Sequence, residues 1–150
     1  MRKILVVLLL LVSACSGMKK SSVDSTLDSE VRPGTQAELE VNIGDYVLFT
    51  VNSSTLDSDA RSTLDRQAEW LERYRDVKVI IEGHCDERGT REFNLALGAK
   101  RANAVREYLI SAGINPKRIA TISYGKERPV VEGVGPEVWK QNRRAVTVVN

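Results

Sequence analysis

Beyond residue 40 the apolar positions fall alternately into short β-branched runs and longer stretches spaced by three and four. The run YVLFTV predicts a first strand over 46–51. After a polar turn, Asp57 or Ser58 is placed to cap a helix over 59–74, whose apolar stripe is Ala60, Leu64, Ala68, Leu71 and Tyr74. Val77, Val79, Ile80 and Ile81 predict a second strand over 77–82, closed by Gly83. A polar loop over 84–91 leads to a second helix from Glu92, with Leu95, Gly98, Ala102, Val105 and Leu109 on its buried stripe. Gly113 is placed as its left-handed C′ residue.

The run IATISY predicts a third strand over 119–124. A loop rich in Gly and Pro covers 125–136, one helical turn fits 137–142, and AVTVV makes a last strand over 145–149. Two strand-helix-strand crossovers followed by a loop-connected strand predict an α+β sandwich. Its expected form is a mixed four-stranded sheet with both long helices on one face, in one domain over residues 39–150.

The first 38 residues have a different character. Arg2 and Lys3 precede an unbroken apolar run over 4–12, which spans only about 14 Å as a helix, far less than a bilayer core. This reads as a signal peptide over residues 1–14. Residues 15–38, rich in Ser, Lys, Asp, Thr and Gly without apolar period, read as a flexible tether with a reach of about 25–30 Å. The formal net charge of +2 includes Arg2 and Lys3. Without them the chain is neutral, so its charge gives no argument for nucleic acid.

Chemistry concentrates where the second strand meets the second helix. Asp86 lies just past a strand end, and Asn94 and Arg101, seven residues apart, share a helix face beside the buried one. A carboxylate can hold an ammonium group; free amides at a helix start and a forked guanidinium can hold an acid. Together they can make a site for a small zwitterion, whereas each charge taken alone reads as a solvated surface residue, and composition does not decide between the two.

Other chemistries fit poorly. His84 and Cys85 are consecutive at a strand end and point to opposite faces, so they are badly placed to activate each other. With one His and two Cys in the chain, no zinc ligand set is expected. Asp86 and Glu87 are neighbours in one loop and cannot flank a glycosidic bond as paired carboxylates do. No nucleophile elbow or metalloprotease motif is present, and neither enzyme activity nor a cofactor is expected.

The run EGHCDERGTREFNLALGAKRANAVREYL, followed by SYGKERP and QNRRAV, resembles the OmpA-like peptidoglycan-binding domain over roughly residues 41–150. The resemblance implies the same α+β fold and non-covalent binding of meso-diaminopimelate, a residue of the peptidoglycan stem peptide. Carried over by motif, the ligand residues are Asp86, Asn94 and Arg101, with Phe49, Thr90, Leu97 and Arg143 around them. Lipoprotein members usually carry Asp after the Phe of the first strand, where this chain has Thr50; at Cys85 relatives commonly have Ala. Val12-Ser13-Ala14-Cys15 resembles a bacterial lipobox, which implies a lipidated Cys15 anchored in the outer membrane with the domain facing the periplasm. The lipoprotein members also imply a partner, TolB of the Tol system, and a role in envelope integrity and cell division. The competing expectation is a protein-interaction lipoprotein whose peptidoglycan pocket is vestigial.

Overall fold

The computed structural model describes residues 31–150, so the leader, the lipobox Cys15 and much of the expected tether lie outside the described residues. Four strands, β1 (Tyr46–Leu48), β2 (Val79–His84), β3 (Ile119–Gly125) and β4 (Arg144–Val149), form one sheet in the order β1-β4-β2-β3. β2 runs parallel to β3 and antiparallel to β4, and β1 pairs antiparallel with β4. The expected mixed sheet is therefore present. Alternation along the strands sends Val47, Val79, Ile81, Ile119 and Ala145 to one face. There they join Leu64, Ala68 and Leu71 of α2 (Ser58–Arg73) and Ala102, Val105 and Leu109 of α3 (Arg91–Ser111) in a single core.

The helix starts follow from their caps. Asp57 accepts from the Ala60 amide at 2.8 Å and opens α2; Thr90 accepts from the Phe93 amide at 3.2 Å and opens α3. Gly113, at φ +106°, ends α3 with its N–H on the carbonyl of Ile110, as expected for a left-handed C′ residue.

Several boundaries differ from expectation. β1 is short: the Phe49 amide still follows its register onto the carbonyl of Arg143, and the chain then enters a tight bend at Asn52, φ +53°. Val77 is outside β2: its N–H bonds Tyr74 and its carbonyl takes Arg118. β2 instead runs through Gly83 to His84, and the register with β3 slips there so that His84 faces Gly125. Such an irregularity re-aims the residues that follow, which here are Cys85 and Asp86. Tyr74 is the C-cap of α2 and still packs against the core at the end of its stripe, and the buried face also includes Gln67 and Trp70, which the apolar period does not assign. Gln67 donates to the Gly44 carbonyl and accepts from the Thr147 hydroxyl, both at 2.7 Å, so its burial leaves nothing unpaired.

The chain is also folded earlier than expected. A short helix, α1 (Gln36–Glu38), continues into a π-helical turn, Leu39–Ile43, that buries Leu39 completely. Glu38 accepts from the Trp70 indole at 2.8 Å and from the Gly34 amide. A further helix, α4 (Pro136–Asn142), fills two turns where one was expected.

What places the site is the contact of α3 with β2. A Cβ on Gly83 would fall inside the carbonyl group of Gly98, and one on Gly98 would collide with Ser123. Two glycines face to face let the helix lie flush on the strand. The end of β2 and the start of α3 are thereby brought together across the 85–90 loop.

Candidate functional site

A cavity of about 260 Å³ opens between the 85–90 loop, the first turns of α3 and the bend after β1. It is lined by Asp86, Asn94, Leu97, Arg101 and Arg143, all expected, and by Val51, Asn52, Cys85, Arg88, Gly89 and Phe93, which were not. Phe49 and Thr90 do not reach it. The Phe49 ring is buried, 5.2 Å from the guanidinium carbon of Arg101, and Thr90 is occupied as the cap of α3. Because that cap takes the Phe93 amide, the helix start is less free to bind an acid than expected.

The loop is pinned from several sides. Asn94 donates to the carbonyls of Arg88, 2.8 Å, and Thr90, 3.0 Å. Lys126 donates to the carbonyl of Gly89 at 2.6 Å, and the Trp139 indole to the Glu87 carboxylate at 2.9 Å. Cys85 is a free, buried thiol against the Asn94 carbonyl, and burial raises its pKa, so the thiol stays protonated. It behaves as the small packed residue expected at a strand end.

Arg101 is not on a face beside the buried one: it has no exposed surface. Its Nε donates to Ser53 O at 2.9 Å, Nη1 to His84 O at 2.8 Å and Nη2 to Thr50 O at 3.1 Å. Burial lowers its pKa, yet a guanidinium remains charged. Among the described residues no carboxylate pairs with it. Asp86 is different. Arg88 binds it through Nε at 3.1 Å, Nη2 at 2.7 Å and its own amide at 3.1 Å, and Arg143 adds a contact of 3.3 Å. Burial acts to raise its pKa, but the hydrogen bonds from Arg88 and Arg143 prevail and hold the carboxyl below its usual range. Arg143 also donates to the Phe49 carbonyl at 2.9 Å, so it ties the end of β1 to the loop while facing the cavity.

Three guanidiniums against one carboxylate give the cavity a positive balance. Leu97 supplies an apolar floor and half-exposed Phe93, four residues before it on the same helical row, an apolar rim. That spacing was legible in the sequence and could have identified Phe93. Nothing local in the sequence pointed to Arg88 or Asn52. Chemically, the cavity can accept a carboxylate on its cations and an ammonium on Asp86, beside an aliphatic stem.

On the other side of the strand end, His84 is buried 5.6 Å from the Tyr124 ring, and neither ring nitrogen is hydrogen-bonded. Glu82 lies 3.4 Å from Nε2 but out of hydrogen-bonding geometry. Burial, reinforced by the charge of Arg144, pushes the imidazole pKa down to about 4.

The sheet, its two covering helices and a charged cavity at a strand end define a small α+β domain. The chain belongs to the OmpA family, matched over residues 48–143. It is 46% identical over 151 residues to the peptidoglycan-associated lipoprotein of Mesorhizobium japonicum, covering 98% of this chain and 90% of that one. It is 55% identical over 117 residues to the peptidoglycan-associated lipoprotein of Rhizobium meliloti, a match that spans 78% of this chain and 66% of the relative. The crystal structure of the peptidoglycan-associated lipoprotein from Burkholderia pseudomallei superposes with a TM-score of 0.69 at 39% identity, over 71% of this chain and 90% of that one.

Proposed function

We propose that this protein binds peptidoglycan without covalent chemistry, taking the zwitterionic end of a stem-peptide diaminopimelate into the cavity. The carboxylate would meet Arg101 and Arg143, the ammonium Asp86, and the methylene chain Leu97 and Phe93. The observation that carries this reading is the buried Arg101, a cation without a carboxylate partner among the described residues, in the wall of a cavity with a surplus of positive charge. Its three carbonyl acceptors stabilise the charge without neutralising it, which a ligand carboxylate would do. The volume is below the roughly 300–1,000 Å³ of pockets for drug-sized ligands, which suits an amino-acid head group rather than a glycan strand.

The relatives' names support the same class of ligand. With Cys15 lipidated, the protein would tether the outer membrane to the wall from the periplasmic side, as part of the Tol-Pal system with TolB as partner, and support envelope integrity during division. No chemical conversion of the wall is proposed.

Cosedimentation of the full-length protein in detergent with diaminopimelate-type sacculi tests this. Asp86→Ala and Arg101→Lys should each reduce binding by about tenfold or more, since each leaves a ligand charge poorly matched. Equal binding by all three would place the site elsewhere; no binding by the parent would leave the pocket vestigial and favour a protein partner; release of soluble fragments would indicate a hydrolase.

A further inference from the structure

The carboxylate assigned to the ligand's ammonium is already engaged by the protein itself, and its two guanidinium partners are held very differently. Arg143 is only 12% exposed and is anchored by its bond to the Phe49 carbonyl. Arg88 is 41% exposed, and among the described residues its guanidinium hydrogen-bonds to Asp86 alone. Its guanidinium carbon also lies 4.2 Å from the centroid of the Trp139 ring, and that indole is fixed by its bond to Glu87. Arg88 thus has a second seat beside the first.

We propose that Arg88 is a built-in competitor of the ligand's ammonium, holding Asp86 in this structure and yielding it, while staying on Trp139, when a ligand ammonium enters. The inference rests on the peptidoglycan reading above and adds a specificity device to it. The pair is exposed on its Arg88 side only, Asp86 being 8% exposed and gripped by two guanidinium bonds. Its release therefore depends on the entering ammonium taking up the same carboxylate, while a cation resting on an indole retains part of its stabilisation. The arriving group must therefore displace one guanidinium in a cavity that still holds two more. An amine alone, such as the end of a lysine side chain, adds positive charge to this surplus and is disfavoured. An amine carried beside a carboxylate compensates Arg101 and Arg143 while it replaces Arg88. The cavity so discriminates by requiring both charges at once.

The test is titration calorimetry of full-length protein with a soluble stem peptide ending in diaminopimelate, and with the same peptide acetylated on the side-chain amine. Arg88→Gln, which removes the competing charge, should bind the free-amine peptide about three- to tenfold more tightly than the parent and gain nothing toward the acetylated one. Arg88→Lys, with its charge kept and its fork lost, should fall between them and serves in place of Arg88→Gln if thermal melts find that variant unfolded. Binding by the parent with equal or weaker binding by both variants overturns the competitor and leaves the peptidoglycan reading standing. Absence of binding by parent and variants alike overturns that reading and the competitor with it.

Discussion

Two buried polar residues beside the loop have opposite relations to charge. Arg101 is kept ionised under three carbonyls, whereas His84 is kept neutral with no side-chain hydrogen bond among the described residues. The sign of the His84 effect follows from its folded pKa of about 4 against an ordinary value of 6.5. Above pH 6.5 the imidazole is neutral in both states and stability is unaffected. As pH falls below 6.5 the unfolded chain takes up a proton that the folded one refuses, so stability falls until about pH 4, by about 2–3 kcal/mol. Urea midpoints of the parent should decline across this window, and His84→Gln should remove most of the slope. A flat parent profile would mean that His84 is not buried neutral. Asp86 acts in a separate window: its lowered pKa contributes stability above the ordinary 3.8, and this is lost only as pH falls below that value.

Residue identities also explain what was legible beforehand. Asp86, Asn94, Leu97, Arg101 and Arg143 were named from a motif, and the structure brings all five to one cavity. What periodicity could not supply was the burial of Arg101 and Asn94. A helical wheel places them beside the apolar stripe but cannot show that the 50–53 bend and the 85–90 loop fold over that flank and supply carbonyls for their donors. Arg88 was unreadable for a related reason: its partners are set by a local turn onto Asp86 and by α4, 51 residues further on.

At the scale of elements, the alternation of β-branched strands with 3.6-period helices was sufficient for type and order, although β3 exposes Ile122, α2 buries Gln67 and α3 buries Asn94 and Arg101 against that pattern. Ends were less legible, since β1 gives way to the bend at Asn52 and β2 starts only after Val77, whose amide is taken by Tyr74, rather than where hydrophobicity begins or stops. The seam between α3 and β2 is the element-level feature with the most consequence. Gly83→Ala would drive a methyl group into the backbone of Gly98, where no flexible side chain can move away. The expected result is a loss of about 3 kcal/mol or more, or failure to fold, read by urea unfolding, with Asp57→Ala, a lost cap, costing only about 1 kcal/mol for comparison. A Gly83→Ala variant as stable as the parent would contradict the seam.

For the whole molecule, the N-terminal segment matters more than its polar composition suggested. Leu39 completes the core, and Glu38 receives the Trp70 indole and the Tyr74 hydroxyl. The sequence between 31 and 38 carries too few apolar residues for a pattern, so a tether was the natural reading; its fixation depends on polar bonds to α2 that no period announces. Glu38→Ala should strip the buried indole of its acceptor and cost about 1–2 kcal/mol, measured by thermal melting, whereas a change at exposed Arg32 should cost almost nothing. No helix among the described residues is long and apolar enough to cross a membrane.

The central claim is that one cavity grips both charges of a diaminopimelate end. It is tested most directly by titrating the full-length protein with two soluble stem peptides that differ only in carrying diaminopimelate or lysine at that position. The account expects saturable binding of the diaminopimelate peptide and binding at least about tenfold weaker for the lysine peptide, which lacks the carboxylate for Arg101 and Arg143. Equal affinity for the two peptides, or binding of neither, would contradict it.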